Sequence, residues 1–330
     1  MGIGDISDSP ASVQGLEHLA YLDSRVSVET SSRSQGLRQC VGEHTRDHDW
    51  TIAPDREGSV HRRRLPLKVG NRLICVMLQS PGLYPVGPRW TRFLKRVLLQ
   101  RARRQGYGIL QLASPSIVLS GIKNIAPDPS PFALLPPSSD TQTPSDLDPQ
   151  YTWIGLFGGI DRRKGPRPLI EAVKQSGRSD LAVLIVGRWS ENQLRDSVVK
   201  EASLANITIR VIDKYVSTQD LRRYMQDVDY IAALNNNEGS SGVFLAACAL
   251  GKPLVVGCSR SLREDARAVG LTWVDASSRC DIQRLFSDAL ESRQPPRYEP
   301  DEDGRDFARP FLDTIRTYPK TPRSRDTTSH

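Results

Sequence analysis

The chain contains no apolar run of the roughly 18 residues that a membrane-spanning helix needs. Its opening stretch, MGIGDISDSPASVQG, lacks the basic-then-apolar layout of a secretory signal, so a cytoplasmic location is expected. Cysteine is scarce: five residues, at positions 40, 75, 248, 258 and 280, an odd number with no CxxC pair. That spacing disfavours both a disulfide framework and a structural zinc site, and it suits a reducing compartment. Also missing are the GxSxG elbow of a serine hydrolase, the HExxH helix of a zinc protease and the GxxxxGK[ST] spacing of a P-loop. Apolar residues make up only 38% of the chain, low for a fully packed protein, which predicts a real core flanked by unstructured stretches.

Basic residues are in modest excess. Lys and Arg total 45 against 38 Asp and Glu, for a net charge of +7. Such a balance favours anionic partners without choosing among nucleic acid, acidic lipid and phosphorylated small molecules. The five histidines, at 18, 44, 48, 61 and 330, carry no metal-ligand spacing.

At 330 residues the chain is long enough for about two domains. Residues 1–62 are poor in periodic apolar pattern and read as a disordered or loosely ordered extension. Residues 63–140 offer strands at 73–78 and 107–112 around a helix. That helix carries Trp90, Phe93, Leu94, Val97 and Leu98 at amphipathic spacing, a stripe expected to pack against a core. Seven prolines between residues 127 and 150 mark an extended linker, with the domain break at 141–150. From 151 to 290 strands and helices alternate. Strands are expected at 152–157, 181–186, 207–212, 230–234 and 253–257, and helices at 168–174, 218–226 and 242–250. This alternation predicts an α/β fold with a doubly wound parallel sheet, whose ligand lies at the carboxyl ends of the strands. Residues 291–330 are expected to hold a C-terminal helix and a disordered tail.

That rule points to the loops at Gly158, at Gly187 and at Asn235–Gly242. In Gly158-Gly159-Ile160-Asp161-Arg162-Arg163-Lys164-Gly165, two glycines permit close backbone approach and three cations follow, as phosphate recognition requires. In Glu238-Gly239-Ser240-Ser241-Gly242-Val243, a serine can cap a helix whose free amides would suit an anion. Taken singly, each loop reads equally as a basic turn or a capped helix with no ligand.

Together the two loops resemble the donor-binding domain of glycosyltransferase family 4. The resemblance lies in IGLFGGIDRRKGPRPLIEAVKQSG, LAVLIVGRW, IDKYVSTQDLRRYMQDVDYIAAL and EGSSGVFLAACALGKPLVVG, and it is strongest over 151–290. It implies a GT-B fold of two Rossmann-like domains, the N-terminal one short or incomplete. It implies a hexosyltransferase-like enzyme moving a sugar from a nucleotide-diphosphate sugar to a glycan, lipid-linked or small-molecule acceptor, with retention and without an obligatory metal or other cofactor. Position by position, Lys164 occupies the place of the family's diphosphate-binding lysine and Glu238 that of its first glutamate, near the donor sugar. Glu238, Lys164 and Arg163 are thus the candidate catalytic residues. Gly158, Gly159, Arg162, Gly187, Gly239, Ser240, Ser241, Gly242 and Val243 would line the donor. The family's second glutamate falls on Ala246 and a family arginine on Gly159, so a catalytically weak GT-B protein that binds a nucleotide sugar or a partner stands as the alternative.

Between Arg89 and Arg104 the chain places seven cations and no acid. The resemblance implies a peripheral contact of residues 89–104 with anionic membrane, at its inner face. A solvated arginine-rich face is the plainer reading. Nucleic acid is disfavoured, because no helix-turn-helix, RNP or zinc pattern accompanies the charge.

Overall fold

The computed structural model describes residues 26–28, 50–54, 72–77, 108–120, 125–127, 146–275 and 280–298, together with Trp90, Phe93, Val97, Gln100 and Arg101. Two five-stranded, all-parallel sheets organise them. The first comprises β1 (Val26–Val28), β2 (Trp50–Pro54), β3 (Arg72–Met77), β4 (Gly108–Ala113) and β5 (Ile125–Pro127), with a short helix α1 (Pro115–Leu119) between the last two. Its strands lie side by side in chain order. Two of them come from within residues 1–62, where the pattern predicted only an extension; strands of three and five residues are too short to show a period.

The second sheet holds β6 (Thr152–Phe157), β7 (Leu181–Val186), β8 (Thr208–Ile212), β9 (Tyr230–Ala233) and β10 (Leu254–Val256), in the order β10-β9-β6-β7-β8. The chain therefore builds outward from β6 through β7 to β8, then returns to build on β6's other edge. That reversal sends the connecting helices to opposite faces. α2 (Pro166–Gln175), α3 (Asn192–Leu204) and α7 (Ile282–Ser292) cover one face; α4 (Thr218–Asp227), α5 (Gly242–Ala249) and α6 (Arg260–Ala268) cover the other. β7 shows the consequence in sequence. Leu181, Val183 and Ile185 enter one core while Ala182, Leu184 and Val186 enter the other, so a strand buried on both sides reads as an unbroken apolar run. The expected doubly wound α/β architecture is present, and most expected element ends fall within one or two residues of the observed ones. Helices α3, α6 and α7 were not foreseen. Their polar faces dilute the apolar stripe, as in RSLREDARA.

Two expectations need correction. Of the apolar stripe near residue 90, the described Trp90, Phe93 and Val97 are 69%, 70% and 43% exposed on a helix, whereas Leu94 and Leu98 lie outside the described residues. Periodicity reports which residues share a face, but not whether anything covers it. In addition, Cys258 and Cys280 form a disulfide, where their scattered spacing suggested free thiols. The two lie 22 residues apart, and the packing of α6 and α7 on the sheet brings them together.

α6 also joins the two halves, because it packs on α1. Asp265, only 1% exposed, accepts hydrogen bonds from the Ser116 amide at 3.0 Å and the Ser116 hydroxyl at 2.5 Å. Burial raises its carboxyl to about 6 despite those donors. A carboxyl raised on folding binds more protons in the native than in the unfolded state. Stability therefore falls as pH rises from about 4 to about 6, by on the order of 3 kcal/mol. Asp265→Asn retains an acceptor for Ser116 and removes the titration. Urea unfolding should show the wild type losing stability between about pH 4.5 and about pH 7 relative to this variant. Parallel pH profiles would refute the assignment.

Candidate functional site

The strand order reverses between β6 and β9, the place where ligands of parallel sheets settle, and the two candidate loops leave from the carboxyl ends of those strands. They are tied together. The Asn236 amide donates to the Arg163 carbonyl at 3.0 Å, and Gly165, at φ +76°, sits so close to Leu234 that a Cβ would meet the leucine Cβ at 2.9 Å.

The first loop is organised by Asp161. Its carboxylate accepts from the amides of Arg163 (2.8 Å) and Lys164 (3.1 Å), capping a single 3-10 turn, Arg162–Lys164. The same carboxylate is gripped by the Arg163 guanidinium at 2.8 and 2.6 Å. Arg162 reaches out to Glu191 at 3.0 Å and is largely exposed. Lys164 differs from both. Among the described residues no ion pair holds its ammonium, which lies 3.9 Å from where a Cβ on Gly158 would stand. Desolvation pulls this ammonium below the ordinary lysine value; Asp161 opposes the shift and Arg163 adds to it. A dehydrated cation without a counter-ion is poised to gain from an incoming anion.

Gly158 and Gly187 serve close backbone approach. Gly187 has φ +144°, and a Cβ there would overlap the Gly158 carbonyl oxygen. The loops after β6 and β7 thus lie in contact, with Gly158 donating to Val186 and Ile160 to Arg188. Gly159 has open space around it.

The second loop leads into α5. Ser241 caps that helix by accepting from the Phe244 amide at 3.4 Å, and the buried Asn235 donates to the Ser241 hydroxyl. Ser240 presents a buried hydroxyl with no hydrogen-bond partner, a costly state that a ligand would relieve. Gly242 is exposed and Val243 half-buried at the helix start. Glu238 is held rather than free: its two carboxylate oxygens accept from the Arg260 amide (3.0 Å) and the Ser261 amide (2.8 Å) at the start of α6. The Ser261 hydroxyl in turn accepts from the Gly239 amide at 3.0 Å.

The structure therefore gathers the expected residues on three adjoining loops, after β6, β7 and β9, and assigns them unequal freedom. Lys164 and Ser240 have unmet polar capacity, Arg162, Arg163 and Glu238 already have partners, and the glycines shape the backbone. Ala246, on the turn after Gly242, is 1% exposed and faces the core. Asp161, Asn235 and Ser261 were not singled out from sequence. Asp161 carried a readable signal, a capping residue ahead of a short turn; Ser261 acts from a helix 20 residues farther along and carried none.

Residues 151–276 match the family model described as glycosyl transferases group 1. Among solved structures, the chain is similar to an α,α-trehalose-phosphate synthase (UDP-forming) from Burkholderia xenovorans in complex with glucose-6-phosphate. The two share 13% identity at a TM-score of 0.56, covering 91% of this chain and 75% of that one. It is also similar to a sucrose-phosphate synthase from Thermosynechococcus elongatus (15% identity, TM-score 0.51, 85% and 74% covered) and to S. aureus MnaA in a UDP co-structure (15%, 0.50, 87% and 82%). Against S. aureus TarM, by contrast, it spans 52% of that chain's length. No curated protein matches in sequence. The shared fold agrees with the expected GT-B architecture.

The Glu238 clasp has a measurable weight. Glu238→Gln leaves one acceptor for two amide donors and removes the charge at the helix start, and should cost about 1–2 kcal/mol in urea unfolding. Glu264→Gln, on an exposed ion pair with Arg260, should cost less than about 0.5 kcal/mol. Equal effects would show that the clasp carries no special weight.

Proposed function

We propose that this chain is a family 4-type glycosyltransferase that binds a nucleotide-diphosphate sugar at the β6–β9 crevice and transfers the sugar with retention of configuration. The observation that carries this reading is the pairing of two unmet polar groups on adjoining loops. One is the half-buried Lys164 ammonium against Gly158; the other is the buried Ser240 hydroxyl ahead of α5.

In this reading the diphosphate accepts from Lys164, from Ser240 and from the first amides of α5. Those donors stabilise the charge that grows as the sugar–phosphate bond breaks. The groups are already in place, so little reorganisation accompanies the reaction. No step calls for a metal, because cations and helix amides supply the positive potential. Arg163 and Arg162 join only by exchanging Asp161 and Glu191 for phosphate oxygens. A nucleoside diphosphate, UDP, is named with the Burkholderia xenovorans and S. aureus proteins.

A weak or purely binding protein is the second reading, and two observations favour it. Ala246 offers no side chain to the crevice, and both oxygens of Glu238 are occupied.

Calorimetry against UDP, GDP and ADP, with sugar-nucleotide hydrolysis followed in parallel, tests both. One nucleotide diphosphate should bind, and Lys164→Ala should weaken it about tenfold to a hundredfold, the worth of one charge-assisted contact. Binding without turnover supports the second reading. No binding, or binding indifferent to Lys164, removes the site assignment.

The acceptor side of the proposal rests on the helix through Trp90. Its exposed Trp90, Phe93 and Val97, in a stretch of seven cations and no acid, suit insertion among the headgroups of an anionic bilayer. A lipid-linked acceptor would be reached there. The full chain should co-sediment with phosphatidylglycerol-containing vesicles and not with phosphatidylcholine alone. Trp90→Ala combined with Phe93→Ala should reduce the bound fraction at least about fivefold. Equal recovery with both vesicle types would exclude the membrane contact.

A further inference from the structure

The Cys258–Cys280 disulfide lies at the hinge of the machinery that holds the donor loop, and none of the chemistry proposed above uses it. Cys258 immediately precedes Ser259, the N-cap of α6, whose hydroxyl accepts from the Leu262 amide. The next two residues, Arg260 and Ser261, supply the amides that hold Glu238, and Ser261 holds the Gly239 amide. One crosslinked residue thus abuts every contact between α6 and the loop that enters α5. At the other end, Cys280 immediately precedes Asp281, the N-cap of α7, which accepts from the amides of Gln283 and Arg284.

Three features suit this bond to exchange. Cys258 is exposed, so an attacking thiolate can reach it. Cys258 immediately precedes the N-cap of α6, a helix start whose partial positive charge favours a departing thiolate. Cys248 is buried in α5 with its thiol pushed far above the ordinary value, so it does not compete.

We propose that Cys258–Cys280 is a redox-responsive cystine that sets the order of the Glu238–Ser241 loop. Oxidised, it pins the start of α6 to the start of α7 and fixes the two amides that hold Glu238. A dithiol reductant opens it by thiol–disulfide exchange. One thiolate attacks Cys258 or Cys280 to form a mixed disulfide, and the second thiol of the reductant resolves it. The cystine gains two electrons and two protons to become two thiols, and the dithiol becomes a cyclic disulfide. The start of α6 is then free to fray, and the loop loses its clasp. That this changes donor affinity rests on the donor-site reading above; the loosening itself does not.

The test uses the full chain equilibrated in oxidised or reduced dithiothreitol, with free thiols trapped by iodoacetamide and amide exchange read by mass spectrometry. Reduction should expose Cys258 and Cys280, but not Cys248, to alkylation. Peptides spanning Glu238–Ser241 and Arg260–Leu262 should exchange about tenfold faster, while those of β6 and β7 stay unchanged. Cys258→Ser should reproduce the reduced pattern in either buffer; where that variant folds poorly, reduction of the wild type supplies the measurement. Unchanged exchange in the loop, or acceleration spread equally over β6 and β7, overturns the proposal in favour of a plain structural staple. UDP calorimetry on the same two samples separates the readings. A loop that loosens in a protein binding no nucleotide upholds the cystine and removes the donor site.

Discussion

The buried Asp265 carboxylate is the contact on which the arrangement of this molecule depends. It sits in the middle of α6 and accepts the amide and hydroxyl of Ser116, from the half that carries the first sheet. The same helix uses its first amides to hold Glu238 and its Ser261 hydroxyl to hold Gly239. A helix is stiff over nine residues, so one element transmits position between the inter-half contact and the crevice loop. Any shift of α1 against α6 must either move the Glu238 loop or break hydrogen bonds that were made at the expense of desolvating a carboxylate.

Charge in the crevice is managed by the backbone as much as by side chains. Asp161 spends one oxygen on two amides and the other on the Arg163 guanidinium, which leaves Lys164 as the cation of the turn without a counter-ion among the described residues. Burial lowers its hold on the proton, and Arg163 nearby works in the same direction. Across the tied loops, the Ser240 hydroxyl and the first amides of α5 are donors of the same sign of demand. The crevice is thus under-supplied with acceptors, and an anion with several oxygens satisfies several donors at once. A single carboxylate would not; a diphosphate would.

Much of the second half was legible because its strands are buried on both faces. LAVLIV and TWIGLF announce themselves as apolar runs, and the glycines that follow mark the strand ends where ligands gather. The loops were legible for the same reason, since Gly187 must be glycine for its backbone to touch Gly158, whose own φ of +100° favours glycine. What sequence could not show are relations across distance. The grip of Arg260 and Ser261 on Glu238, the pairing of Cys258 with Cys280 and the Ser116–Asp265 contact join residues 22 to 149 positions apart. The stripe at Trp90, Phe93 and Val97 shows the limit from the other side. Its period was read correctly, and its exposure depends on neighbours that no local pattern encodes.

The two sheets differ in one respect that assigns their tasks. In the second, the chain reverses at β6, so the helices after β6 and β9 go to opposite faces while the two loops that lead into them stay tied at the strand ends. In the first, the described strands follow one another in chain order, and no reversal splits adjacent loops. By the rule that ligands of parallel sheets settle where strand order turns back, the described part of the first sheet has no crevice of its own to offer a nucleotide. Its contribution has to come from what it presents beside the second sheet's crevice. α1 does this through Ser116, and the helix through Trp90 leaves Trp90, Phe93, Val97 and Arg101 exposed. On the proposed reading, the second half would bind the donor and the first would present the acceptor, with α6, which packs on α1, as the element in contact with both.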